Sequence, residues 1–271
     1  MKKNIVLSAA CGLDPSLIEF FLKSLRKFYD EDVCFLIGKN DFKIKKILKL
    51  YNCDFFEINV HKFDVQEKRY YFYLQILKEK KYNNILLCDS RDIYFQSNPF
   101  NYPYKGSINF FLEDKKIIDC PTNSNWIIKT YGEKVYKTIA NNIINCSGTT
   151  LGSHDFIKIY LSLMINQASM YKFKKRLKYL LTFRRDKTGR GVDQAHANYI
   201  VHNNMIKNSH VYLNETGPIA TVYYLKKIKF NEKFELINSL KEPYSIVHQY
   251  DKRWSEFKDN VIQFKKNLGI Y

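Results

Sequence analysis

The sequence predicts an α/β fold with a mostly parallel central sheet and helices on both faces. Short apolar runs of strand length alternate with longer stretches whose apolar residues recur at helical spacing. That β-α-β order repeats, which implies parallel strands joined by covering helices. The 271 residues also hold no Gly/Ser linker, internal repeat or low-complexity tract, so a single domain, 1–271, with a C-terminal extension is expected to absorb them.

The first strand is "NIVLSAA". The helix "DPSLIEFFLKSLRKFY" follows, with Asp14 as N-cap, Pro15 at its first position, and Leu17, Phe20, Phe21, Leu25 and Phe28 at helical spacing. "DVCFLIG" is a second strand, "DFKIKKILKLY" a basic amphipathic helix and "CDFFEIN" a third strand. "VQEKRYYFYLQILKEKKY" is a long helix running directly into the strand "NILLCD". Beyond Pro99 the order loosens. "SINFFLED" reads as a strand, "NSNWIIKTYG" and "EKVYKTIANN" as helices, "IINCSGTTLG" as a strand followed by a small-residue loop, and "SHDFIKIYLSLMINQASMY" as a long amphipathic helix.

The formal net charge of +17 predicts attraction to an anionic partner: nucleic acid, a membrane surface, a nucleotide or an acidic glycan. The six cysteines are scattered without metal-type spacing and mostly sit in apolar surroundings, which points to buried free thiols in a reducing compartment. The N-terminal apolar stretch is too short for a secretory signal and reads as a buried strand, and no run approaches the ~20 apolar residues of a membrane span. A cytoplasmic protein is expected. Residues 171–190, "YKFKKRLKYLLTFRRDKTGR", interleave Lys and Arg with Leu and Phe. Such a composition suits an interfacial helix on an anionic membrane, nucleic acid phosphates, or a solvated basic helix.

Four segments carry the candidate chemistry. In "NNILLCDSRDIYFQSNPF" an apolar run ends in Asp89, with Arg91 and Asp92 close behind, at the carboxyl end of a strand, where α/β folds build their sites. Helix caps or turns are the plain alternative for either aspartate. "IINCSGTTLG" places Asn145, Ser147 and Gly148 together, and small residues there let backbone approach a ligand. "GRGVDQAHANYIV" opens a helix with Asp193 and Gln194, its buried face being Ala197, Ile200 and Val201. "EPYSIVHQYDKRW" delivers His248 from a short strand, followed by Lys252, Arg253 and Trp254.

In this order the four segments resemble a nucleotide-sugar glycosyltransferase of the GT-A fold, over most of the chain. The late histidine is similar to that of retaining, family-8-like members. The resemblance implies a Rossmann-like nucleotide-binding half, 1–115, and an acceptor-side half, 116–271, with a C-terminal metal and diphosphate segment. It implies Mn²⁺ or Mg²⁺ held by Asp89, Asp92 and His248, because a departing sugar diphosphate is a dianion that hard oxygen ligands and an imidazole can neutralise through the ion. The family motif is Asp-x-Asp, whereas this chain reads Asp89-Ser90-Arg91-Asp92, so either Asp89 or Ser90 takes the first position; Asp92 takes the last. Lys252 and Arg253 are implied at the diphosphate, Ser8, Ala9 and Ala10 at the base or ribose, and Arg69 at a phosphate or Asp89. Asn145, Ser147, Gly148, Asp193 and Gln194 would line the sugar and face the anomeric carbon. The implied partners are a nucleoside-diphosphate sugar, UDP first, and a glycan or lipid-linked acceptor, with peripheral membrane contact through residues 171–190. No specific nucleic acid is expected. A basic nucleic-acid-binding α/β protein, and a degenerate transferase fold kept for binding, are the competing readings.

Overall fold

The computed structural model of the protein describes residues 3–59, 64–182 and 191–270. The N-terminal region winds β1 (Ile5–Ala9), α1 (Ser16–Phe28), β2 (Asp32–Gly38), α2 (Phe42–Leu50), β3 (Asp54–Ile58), α3 (Val65–Glu79) and β4 (Asn84–Cys88). It continues through β5 (Ile93–Phe95), β6 (Ile108–Lys116), α4 (Pro121–Tyr131), α5 (Glu133–Ile139), β7 (Ile143–Ser153), α6 (His154–Thr182) and α7 (Val192–His202). Last come β8 (Ser209–Tyr212), β9 (Ile219–Thr221), β10 (Ile246–His248) and α8 (Trp254–Asn267).

Seven strands form the main sheet in the order β3-β2-β1-β4-β7-β6-β8. The pairs β1–β2, β1–β4, β2–β3 and β6–β8 are parallel, and only β7 runs against both neighbours. The predicted α/β class and mostly parallel sheet are therefore present. The chain leaves β1 toward β2 and β3, then returns to place β4 on β1's other side. That reversal makes the carboxyl ends of β1 and β4 a topological switch point, the usual place for a ligand crevice.

Alternation along β1 feeds both faces: Ile5 and Leu7 join one core layer, Val6 the other. The first layer packs α3, α6 and α7 onto the sheet through Tyr70, Tyr73, Leu77, Ile157, Leu161 and Ile200. The second packs α1 and α2 through Ile18, Phe21, Leu22, Leu25, Ile44 and Leu48. The expected face of α1 is rotated slightly, since Leu17 is exposed while Ile18 is fully buried. Asp14 caps this helix in effect, because its carboxylate accepts a bond from the Ser16 N–H at 3.0 Å.

Three features depart from expectation. A second sheet, β5-β10-β9, packs under α8 with its own core of Tyr94, Val247, Phe257, Val261 and Phe264. The predicted break in "IINCSGTTLG" is instead one strand, Ile143–Ser153, because residues 149–153 pair with β4 while other residues of the strand pair with β6. The boundary expected near residue 115 falls inside β6, so the main sheet runs through both halves of the chain. All six cysteines are buried and free, as expected. No helix among the described residues is long and apolar enough to cross a membrane.

Candidate metal centre

Three elements converge beyond the end of β4. The turn after β4 carries Asp89 and Asp92; β10 pairs antiparallel with β5, His248 opposite Ile93, and so brings His248 beside that turn. The Gln249 N–H then donates to the Asp92 carbonyl at 2.7 Å, and the Asp89 N–H to the Gly148 carbonyl at 2.8 Å. Backbone bonds thus fix all three side chains relative to one another. Gln249 itself holds a left-handed backbone (φ 62°), a conformation that costs a non-glycine residue about 1 kcal/mol and tends to persist at functional positions.

One ligand atom from each of Asp89, Asp92 and His248 lies within 4.8 Å of the others. His248 Nε2 stands 3.6 Å from Asp89 Oδ2 and 3.6 Å from Asp92 Oδ1. Those separations are too long for hydrogen bonds, and Nε2 is buried with no hydrogen-bond partner. They do match the spacing of atoms that share one ion at bond lengths of about 2.1–2.3 Å. The ring's other nitrogen, Nδ1, lies 3.5 Å from Cys146 Sγ, which leaves Nε2 to face the carboxylates. An orphaned imidazole nitrogen aimed between two carboxylates offers a divalent ion one nitrogen and two oxygen ligands.

Charge in the cluster is unevenly shared. Burial alone would raise the Asp89 pKa, but Arg69 and then His248 outweigh it and hold this carboxyl well below the usual range. For Asp92 burial prevails over the pull of His248, and its pKa is raised. Burial would lower the His248 pKa, yet Cys146, Asp92 and Asp89 together hold it well above the ordinary value. Burial also raises the Cys146 thiol. A divalent ion between these groups would take the place of an imidazole proton as counter-charge to the carboxylates.

Small residues make room for this arrangement. A Cβ on Gly148 would sit 2.3 Å from His248 Cε1 and 2.8 Å from Asp89 Oδ2. Arg69, on α3 and only 8 % exposed, ties the centre to its neighbours. It pairs with Asp89, reaches Asp193 on α7 at 3.2 Å, and donates to the Ser147 carbonyl at 3.3 Å. Ser147 in turn donates to Gln194 from its N–H (2.9 Å) and its hydroxyl (2.7 Å). The Asn198 side chain bonds both backbone groups of Asn145, in the manner of an adjoining strand. Asn145's own amide is buried without a partner.

Beside the cluster runs a cleft of about 370 Å³ bordered by Arg69, Asp89, Ser147, Asp193, Gln194 and Lys252. A second hollow of about 230 Å³ adjoins it through Arg69 and Asp89 and reaches Ala9, Ser90 and Asp92. The structure thus brings together Arg69, Asp89, Asp92, Ser147, Gly148, Asp193, Gln194, His248 and Lys252. Four other residues are engaged elsewhere or enclosed. The Ser90 hydroxyl donates to the Ala9 carbonyl, so Asp89, not Ser90, joins the cluster. Ser8 is fully buried and spends its hydroxyl on the Cys88 carbonyl. Ala10 is likewise enclosed in the core, which leaves Ala9 as the one member of its trio bordering the hollow. The Arg253 guanidinium is bound by Glu256 at 2.7 and 2.6 Å and by backbone carbonyls.

Sequence reading missed other residues that border the cleft: Glu113, Trp126, Tyr223, Tyr224 and Gln249. For Glu113 a signal existed: "INFFLED" is an apolar strand ending in carboxylates, the same pattern that singled out Asp89. The aromatic residues come from loop and helix positions with no spacing to mark them. Compared with known proteins, the chain matches no protein-family model and no curated sequence, so the geometry of the cluster carries the functional reading by itself.

Proposed function

We propose that the chain is a divalent-metal-dependent glycosyltransferase. It moves a sugar from a nucleoside diphosphate, UDP first, to a glycan or lipid-linked acceptor, in cell-surface polysaccharide synthesis. The observation that carries the reading is the Asp89–Asp92–His248 cluster at the switch point, its imidazole nitrogen unpartnered between two carboxylates. A bound ion there supplies positive charge to the departing diphosphate. Lys252, an exposed cation at the cleft margin, adds a second charge on the same side. Arg69 holds Asp89 ionised for the metal while fixing Asp193, and Ser147 fixes Gln194, so two polar side chains are presented to the cleft in set positions.

We infer a cytoplasmic enzyme with peripheral contact at the inner face of the membrane. The C-terminal part of α6 supports that contact: Phe173 is 69 % exposed and Leu177 48 %, amid Lys172, Lys174 and Arg176. The remainder of the basic segment, residues 183–190, lies outside the described residues.

The test is a thermal-shift series with nucleoside diphosphates, with and without Mn²⁺. Ligand at 100 times its Kd stabilises by about 2.7 kcal/mol, a rise of several degrees for a chain of this size. UDP with Mn²⁺ should give that rise and UDP with EDTA should not. A response to oligonucleotide alone, abolished by salt, would favour the nucleic-acid reading instead.

A further inference from the structure

The cleft holds one carboxyl group that the metal centre does not use. Glu113 lies on β6 within an irregular stretch, residues 112–116, where the register with β7 shifts. Irregularities of this kind turn a strand residue out of its ladder and are common beside active sites. Glu113 is only 5 % exposed, yet it borders the cleft together with Trp126, Tyr223 and Tyr224. The other two carboxylates of that cleft, Asp89 and Asp193, are both paired with Arg69. Glu113 has no Lys or Arg partner among the described residues. The polar and titratable groups near it are His248, Cys146, Gln194, Tyr224 and, on its own strand, Asp114.

We propose that Glu113 takes the proton from the acceptor hydroxyl during transfer, an inference that rests on the transferase reading above. The acceptor oxygen bonds to the anomeric carbon while the bond from that carbon to the diphosphate oxygen breaks and its electron pair leaves with the diphosphate. The hydroxyl proton passes to the Glu113 carboxylate. Position supports this role, since the residue borders the cleft without a Lys or Arg partner among the described residues, and the aromatic side chains that border the same cleft offer flat apolar faces of the kind a sugar ring packs on. Acidity supports it as well: burial, the main cause, pushes the carboxyl up to about 7, where a base is matched to proton transfer near neutrality.

Water can stand in for the acceptor, so the test needs no knowledge of the natural one. Wild type, Glu113→Gln and Glu113→Ala are each given Mn²⁺ with UDP-glucose, UDP-galactose or UDP-N-acetylglucosamine, and UDP release is measured with and without azide. Loss of a general base should slow hydrolysis by about 100-fold or more. The Mn²⁺–UDP thermal shift should be unchanged in both variants. Azide needs no deprotonation, so it should restore turnover in Glu113→Ala as a glycosyl azide. Hydrolysis by wild type should rise with pH through about 7 and that of Glu113→Gln should not. A loss smaller than about threefold overturns the proposal, as does a failure of azide to rescue a variant whose Mn²⁺–UDP shift is intact. If wild type neither binds UDP with Mn²⁺ nor hydrolyses any donor, the transferase reading itself falls, and the role of Glu113 with it.

Discussion

Gly148→Ala adds one methyl group at the tightest point of the candidate metal centre. The new Cβ would meet His248 Cε1 at 2.3 Å and Asp89 Oδ2 at 2.8 Å. Ordinary carbon–carbon contact needs about 3.5 Å, so the imidazole must retreat by roughly 1 Å or the strand must shift. His248 is fully enclosed, and backbone bonds hold β10 between β5 and β9, so little slack exists. Forcing a methyl group into a packed interior costs about 1–3 kcal/mol, and replacing glycine by alanine returns about 0.4–1 through the unfolded chain. A net loss of about 1–2 kcal/mol should appear as a lower urea midpoint with unchanged slope. The effect on metal should be larger in proportion. A shift of about 1 Å is half a coordination bond, and disturbing the support of a ligand typically weakens binding 10–100-fold. Titration with Mn²⁺, followed calorimetrically or by its paramagnetic resonance, should show at least a tenfold loss. Wild-type Mn²⁺ affinity in a folded Gly148→Ala variant would refute the idea that this glycine exists to seat the histidine.

Three further outcomes are expected. Arg69→Leu leaves Asp89 and Asp193 without their shared cation; breaking a buried pair costs about 3–5 kcal/mol, reduced here to about 2–4 because the Asp89 side chain is 37 % exposed, and denaturant melts should show it while Arg69→Lys recovers part. Mn²⁺ affinity should rise with pH: the His248 pKa is raised, so its proton contributes stability to the metal-free fold at low pH and that contribution is lost as pH climbs, which frees Nε2 for the ion. Calorimetry in buffers of differing ionisation enthalpy should register proton release at neutral pH, and affinity that stays flat from about pH 6 to 8 would contradict the assignment. Finally, wild type should co-sediment with anionic vesicles at low salt and not with neutral ones, and changing Phe173, Lys174 and Arg176 together should weaken this, at about 1 kcal/mol per basic residue; unchanged sedimentation would reject the membrane contact.

Where the sequence was legible, local chemistry sufficed. The strands of the first half announce themselves as apolar runs, and Asp89 stands out because a buried run stops at a carboxylate. Pairing was another matter. Nothing in "IVH" distinguishes a strand of the main sheet from one of a separate three-stranded sheet, because that choice depends on contacts with β5 and β9, some 150 and 30 residues away. Small residues in "CSGTTLG" suggested a loop, yet flanking strands impose an extended chain and the small size serves His248 instead. Direction of side chains was equally hidden. Ser8 and Arg253 are suitable residue types at suitable places, but one is spent on the Cys88 carbonyl and the other on Glu256. Lys252, one residue earlier, is the cation that borders the cleft.

The account turns on a single ion at Asp89, Asp92 and His248. Crystals grown with Mn²⁺ and UDP, measured at a wavelength where manganese scatters anomalously, test it most directly. One strong peak is expected about 2.0–2.3 Å from His248 Nε2 and from an Asp92 oxygen, with Asp89 bound to the ion or to a water on it, and with the diphosphate on the open side. Asp92→Asn should remove that peak while leaving the fold intact, since Asp92 stands in a turn beyond the strand and not in the core of the sheet. A Mn²⁺–UDP complex with no peak within bonding range of His248, or with the ion at another group of residues, would contradict the assignment of this cluster as a metal centre and the transferase reading built on it.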